Sequence, residues 1–309
     1  MLVLTADQIG ALLPRIDAIA TMRQLFASLA EGAVVQPPQV VTELVGAGEG
    51  ADFITYLAAL AEPPVFGGKL SPYLPGNGHA KVTAWTLLMS SVDGAPLLLC
   101  DSLALTTERT AATTALAVDL LAPREPGVLA VIGSGSVGLA HLRHSAGLRD
   151  WSEIRCWSPS AGKRRAAIQE AAPRAVIGES LESTVRDAQV VLLCTSSATP
   201  VLDPRSLEQC ALVTSLSTNA PGAHEVPPDS LPDLDCYCDF RETTPNAAAE
   251  MLLAQRFGWS PEHLVGDLPA LASGRAELPS RTAFFRSLGL GCEDIAIAAA
   301  LFQEAGGQG

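Results

Sequence analysis

A chain of 309 residues, 48% hydrophobic and 17% charged, carries enough apolar material for two packed domains and too little charge for a disordered one. Its net charge of −13 repels nucleic acid and anionic membrane surfaces, so neither is an expected partner, and any cation that meets an anionic ligand has to be placed locally. No apolar run reaches the roughly 18 residues of a membrane helix, and the start, Met1 to Asp7, lacks a basic stretch leading into an apolar block, so the expected compartment is the cytosol.

Ile9, Leu12, Leu13, Ile16, Ile19, Met22, Leu25 and Phe26 recur at helical spacing after a capping Thr5, which predicts one amphipathic helix over the first 30 residues, bent at Pro14. From Gln39 to Ser102 the period shortens. Val40–Thr42, Phe53–Leu57 and Thr86–Met89 read as strands, and Asp93-Gly94 between two leucine-rich runs reads as a hairpin turn. Thr106 opens an alanine-rich helix that runs to about Leu121, and Pro123–Gly127 breaks the chain. Strands are then expected at Val128–Ile132, Ile154–Trp157, Ala175–Ile177, Val190–Cys194, Leu212–Leu216 and Cys236–Asp239, mostly with helices between them, and Cys292–Glu304 closes the chain as a helix. The fold class is α/β: a Rossmann-type, doubly wound parallel sheet over residues 116–289, joined to a second α/β domain from residues 1–115 and 290–309. The seven cysteines are an odd number and sit mostly in apolar runs, which predicts reduced, buried thiols; neither Cys236-Tyr237-Cys238 nor the five histidines make a metal-ligand pattern.

Val128–Ile132 runs into Gly133-Ser134-Gly135-Ser136-Val137-Gly138, a GxGxxG between a buried strand and a helix. In that setting Gly133 allows the turn, Gly135 admits a pyrophosphate to the backbone, Gly138 lets helix pack on strand, and the helix N-terminus favours the anion. The second strand ends in Ser158-Pro159-Ser160 rather than in the acid that reads a ribose hydroxyl, and Lys163, Arg164 and Arg165 follow, so NADPH is the expected cofactor, with NADH possible. Thr195, Ser196 and Ser197 end the fourth strand, where small polar groups would line the nicotinamide.

Lys69 stands in an apolar, glycine-rich stretch and Arg109 in the first turn of the predicted alanine-rich helix, where a cation opposes the helix dipole. Each has an ordinary reading as a salt-bridge residue. Together they make an anchor for one carboxylate, a point charge beside a bidentate fork. GGKLSPYLPGN, DSLALTTERTAATTALA, VIGSGSVGLAHL, CTSSATPVL and SLGLGCEDIAIAAA, in that order along nearly the whole chain, resemble the ornithine cyclodeaminase/mu-crystallin family. The resemblance implies a homodimer built on the second domain, a nicotinamide cofactor, and a substrate carboxylate held by Lys69 and Arg109.

Two departures bear on the reaction. Cyclodeaminating members have an Asp where STNAPGAHE carries Asn219, and an Arg where this chain has Gln39. An amide cannot accept a proton at neutral pH but does form hydrogen bonds, which suits holding an imine while hydride arrives. The loop, followed by CYCDFRETTP, is similar to that of bacterial Δ1-pyrroline-2-carboxylate reductases in the family. The expected activity is therefore reduction of a small cyclic imino acid, Δ1-pyrroline-2-carboxylate to L-proline or the six-membered homologue to L-pipecolate, in trans-3-hydroxy-L-proline degradation. The alternatives are an ornithine cyclodeaminase or alanine dehydrogenase of the same family, or a non-catalytic NADPH-binding protein. His224 and Glu225 read as loop-stabilising or catalytic.

Overall fold

The computed structural model describes residues 1–76, 81–125, 127–216 and 222–307. In chain order its elements are β1 (Leu2–Leu4), α1 (Ala6–Leu12), α2 (Ala18–Ala30), β2 (Val34–Val35), β3 (Val40–Glu43), β4 (Asp52–Leu60), β5 (Val65–Leu74), β6 (Lys81–Val82), β7 (Trp85–Ser90), β8 (Pro96–Asp101) and α3 (Leu103–Leu121). There follow β9 (Val128–Ile132), α4 (Ser136–Ala146), β10 (Glu153–Trp157), α5 (Arg165–Ala171), β11 (Ala175–Ile177), α6 (Leu181–Val185), β12 (Ala188–Leu193), β13 (Leu212–Ser215), β14 (Asp235–Cys238), α7 (Ala249–Ala254), β15 (Leu264–Asp267), α8 (Leu268–Ala272), β16 (Ala283–Arg286) and α9 (Gly291–Glu304). They form two compact units, residues 1–109 with 289–309 and residues 110–288.

The first unit is a mixed sheet in the order β1-β8-β7-β5-β4-β2, with β3 on β4 and β6 on β5. All of its pairs are antiparallel except β1 with β8. α9 packs across β4, β5, β7 and β8, and α2 packs on α9. Alternation along β4 buries Ile54, Tyr56, Ala58 and Leu60 on one face and leaves Leu57 exposed on the other. Gly291 opens α9 against β4: a Cβ there would lie 2.5 Å from the Leu57 carbonyl oxygen. The expected single N-terminal helix is corrected to a strand and two helices. Residues 2–4 pair with β8, a Thr5–Gln8 capping box starts α1, Pro14 sits in a 3-10 turn, and Asp17 caps α2.

The second unit is an all-parallel sheet in the order β11-β10-β9-β12-β13-β16-β14-β15. The chain leaves β9 to one side through β10 and β11 and crosses to the other through β12, so the order reverses between β9 and β12. The strands read as continuous apolar runs because both faces are covered: Leu129–Ile132 and Val190–Leu193 are buried. Among the described residues no helix is long and apolar enough to cross a membrane. Nor do three His, Cys, Asp or Glu side chains come together to hold a metal ion.

Candidate active site

In the first unit Lys69 projects from β5 and is 1% exposed; Arg109 is 4% exposed. α3 begins at Leu103, earlier than the expected Thr106, so Arg109 lies in the second turn and not the first, and the dipole argument does not apply to it. Glu293 and Asp294, in the first turn of α9, hold both cations. Lys69 Nζ is 2.8 Å from Asp294 Oδ2, Arg109 Nε 3.1 Å from Asp294 Oδ1, and Arg109 Nη1 2.8 Å from Glu293 Oε2. Both carboxylates are fully buried, and their position at the helix start also suits the macrodipole. The Gln36 side-chain carbonyl accepts from the Cys292 N–H at 2.8 Å and so fixes that turn.

Lys69 also donates to Thr106 Oγ1 at 3.3 Å, and its ammonium lies 4.1 Å from the Tyr56 ring centroid, its partner across β4 and β5. Burial pulls the Lys69 pKa down to about 8, with the Asp294 carboxylate opposing the fall. Burial would lower Arg109 as well, but Asp294 and Glu293 outweigh it and hold the guanidinium above its ordinary value. The two predicted anchors are thus together, but in a balanced quartet. An ammonium has three donors and a guanidinium five, so the bonds just described leave N–H groups for a further anion. The two acids stand inside an apolar helix in GCEDIAIAAA. Charges in such a run are the signal in the sequence that marks them.

In the second unit a cleft of about 740 Å³ lies at the carboxyl ends of β9, β10, β12 and β13. Gly133, Ser134, Gly135, Ser136, Val137, Ser158, Arg164, Thr195, Ser196 and Ser197 line it; Gly138 and Lys163 do not. Gly133 has φ +120°, and a Cβ there would come within 2.3 Å of the Cys194 carbonyl oxygen. Gly138 packs against the Gly133 carbonyl, the close helix–strand contact expected of it. A Cβ on Gly135 would meet nothing within 4 Å, and Gly135 caps α4 without a side-chain hydrogen bond, so the helix start offers open space and uncommitted N–H groups to an anion. These features fit a dinucleotide pyrophosphate. Ser134 Oγ and Ser158 Oγ lie 2.7 Å apart and join the glycine turn to the end of β10, where no carboxylate stands and Arg164 faces the cleft.

Asn219 lies outside the described residues. His224 Nδ1 bonds locally to the Gly222 carbonyl at 2.7 Å. Glu225 is fully buried, and its carboxylate accepts from the Thr195 N–H and hydroxyl, the Ser215 hydroxyl and the Leu216 N–H. Behind Ser215, Arg286 pairs with Glu250 at 2.9 Å in a second buried ion pair. Neither Arg286 nor Glu250 stands in a motif, so nothing local in the sequence marks the pair.

A parallel sheet with an anion-ready glycine turn at its order reversal is the architecture of a dinucleotide-binding domain. The chain belongs to the ornithine cyclodeaminase/mu-crystallin family, which matches residues 1–309, and it is an oxidoreductase of that family. It is 55% identical over 296 residues to an NAD(P)H-dependent anabolic L-arginine dehydrogenase of Pseudomonas aeruginosa, covering 94% of this chain and 93% of that protein. It is 24% identical to the ketimine reductase mu-crystallin of Mus musculus, over 88% of this chain and 86% of that protein. The fold matches a Δ1-pyrroline-2-carboxylate reductase of Thermococcus litoralis, solved with NADH and L-proline, at a TM-score of 0.89 and 20% identity, covering 100% of both chains.

Two outcomes follow from this geometry. Asp294→Ala leaves Lys69 and Arg109 short of a buried counter-charge and should destabilise the fold by about 3–5 kcal/mol in urea unfolding; a change under 1 kcal/mol would mean the quartet is solvated. Arg164→Ala should weaken NADPH about tenfold and leave NADH unchanged in a binding titration. Equal losses for both would show that Arg164 does not read the 2′-phosphate.

Proposed function

We propose that this protein reduces the C=N bond of a 2-imino acid with NAD(P)H, and that its substrate carries a basic side chain: the imine formed between ammonia and the 2-keto analogue of L-arginine. The observation that carries this reading is the 55% identity, over 94% of the chain, to an L-arginine dehydrogenase. The net charge of −13 favours a cationic substrate over an anionic one.

Lys69 and Arg109 take the substrate carboxylate with the N–H groups that Asp294, Glu293 and Thr106 leave over. Because Asp294 and Glu293 fix both cations beforehand, the carboxylate meets a preset pair and the imine carbon is held in one pose, which is how orientation lowers the barrier. The dinucleotide, when bound at the glycine turn, supplies the hydride. The keto acid and ammonia lose water to give the imine; once its nitrogen is protonated, the imine carbon accepts the hydride as the C=N π pair moves to nitrogen. The products are the amino acid and the oxidised dinucleotide. Asn219 supplies hydrogen bonds and no base.

A second reading keeps the cyclic imino acids, Δ1-pyrroline-2-carboxylate and Δ1-piperideine-2-carboxylate, as substrates. Two observations favour it: the ketimine reductase relative and an Asn where a cyclodeaminase-type base would stand. In either case the homodimer implied by the family would use the outer face of the first unit's sheet, where Leu57, Leu70 and Trp85 are exposed.

NAD(P)H oxidation at 340 nm separates the readings. Ammonium-dependent turnover of 5-guanidino-2-oxopentanoate, faster than either cyclic imine, is the expected result. Faster turnover of a cyclic imine without ammonium would move the assignment to the second reading, and no turnover of any of the three would overturn both. The pH profile tests the anchor. A substrate carboxylate needs Lys69 protonated, and its pKa is about 8. At fixed free ammonia, kcat/KM should hold level below that pH and fall as pH rises through it. A level profile up to pH 10 would remove Lys69 from carboxylate binding.

A further inference from the structure

We infer that Glu225 is a positioning residue of the dinucleotide cleft: its buried carboxylate fixes the wall on which the nicotinamide half of the cofactor rests. The inference extends the cofactor reading of this cleft and is independent of which imino acid is reduced.

The cleft has two ends. The pyrophosphate belongs at the start of α4 and the adenosine ribose at the end of β10, beside Ser158 and Arg164, so the nicotinamide half falls at the carboxyl ends of β12 and β13. The wall there is Thr195, Ser196, Ser197, Val201 and Leu216. Glu225 is not part of that lining and is 0% exposed, yet it ties the wall together. The Thr195 N–H and Oγ1 each donate to Oε1 at 2.8 Å. Ser215 Oγ and the Leu216 N–H donate to Oε2 at 2.8 and 3.2 Å. The Val201 N–H donates to the Glu225 backbone carbonyl at 2.7 Å. One further bond extends the chain: the Ser197 N–H donates to Thr195 Oγ1 at 3.1 Å, so the Thr195 proton points at Glu225.

Among the described residues each carboxylate oxygen accepts from a backbone N–H and a hydroxyl, an arrangement that an acceptor-only group satisfies. An amide in its place turns an NH2 toward a backbone N–H on one side or the other. Either the Thr195 or the Leu216 strand end then loses its tether, and the nicotinamide end of the cleft loosens while the α4 and β10 end is untouched.

The test is a pair of binding titrations on Glu225→Gln with two probes, NADPH and 2′-phospho-ADP-ribose, which is the same molecule without nicotinamide. Calorimetry should show NADPH weakened about tenfold and 2′-phospho-ADP-ribose within twofold of the parent protein. In turnover, kcat should fall more than KM for the imino acid changes. Ser215→Ala removes one donor to Glu225 without altering the cleft lining. It should show the same selectivity in smaller measure, and it stands in should the first variant fail to fold. Parallel weakening of both probes would mean that Glu225 merely supports the unit, and unchanged NADPH affinity would mean that the wall does not depend on it. Either result overturns the inference. Both titrations omit substrate, so they read the same whichever imino acid proves correct.

Discussion

Two acids at the start of the last helix govern the first unit. Lys69 and Arg109 are almost wholly buried, and a buried cation is tolerated only where a carboxylate and hydrogen bonds replace its water. Glu293 and Asp294 provide that replacement, but they arrive with the final 21 residues of the chain, the segment 289–309. The sheet of residues 1–109 therefore has its charged centre completed only when α9 lies across it. This accounts for the discontinuous composition of the unit, for the glycine at the head of α9 where a side chain would strike the Leu57 backbone, and for Gln36 standing in as a cap on that helix.

The second unit solves a different problem. Its site is made by topology: the chain leaves β9 in both directions, so the loops after β9, β10 and β12 diverge and leave a crevice at the strand ends. This crevice has a backbone anion site at one point, Arg164 at the β10 end and neutral hydroxyls beyond β12. It needs stiffening where the loops are longest, after β12 and β13. Glu225 does this from beneath, much as the quartet stiffens the first unit, by placing a carboxylate where several donors converge. In both units buried carboxylates fix the cations, hydroxyls or backbone N–H groups around them.

What could be read from the sequence divides along the same line. The parallel sheet was legible because strands buried on both faces are continuous apolar runs, and the glycine turn because its residues are required by backbone geometry at consecutive positions. β5 was hidden: Gly67, Gly68 and Pro72 interrupt the β-branched pattern of what is a strand of ten residues. β1, β15 and β16 were missed as well; each has four residues or fewer, too short to display a period. Lys69 and Arg109 stood out as cations in apolar settings, but their acids did not, because the partners lie 184 and 185 positions from Arg109 and farther still from Lys69, separations that no local pattern spans. Ring size and side-chain class were beyond reach for another reason: they depend on how a substrate fits, and the motifs describe only the carboxylate and the dinucleotide.

Charge balance in the quartet bears on that last choice. Lys69 and Arg109 cancel Glu293 and Asp294, and Gln39, in the position where cyclodeaminating relatives carry an arginine, adds no further cation. A protonated imino acid is a zwitterion at its reacting end and enters such a site without changing its net charge, whereas a simple anion would leave it negative. A substrate that adds a guanidinium brings a positive charge into a protein whose net charge is −13. A quartet that already balances therefore suits the basic imino acid proposed above better than a simple anion.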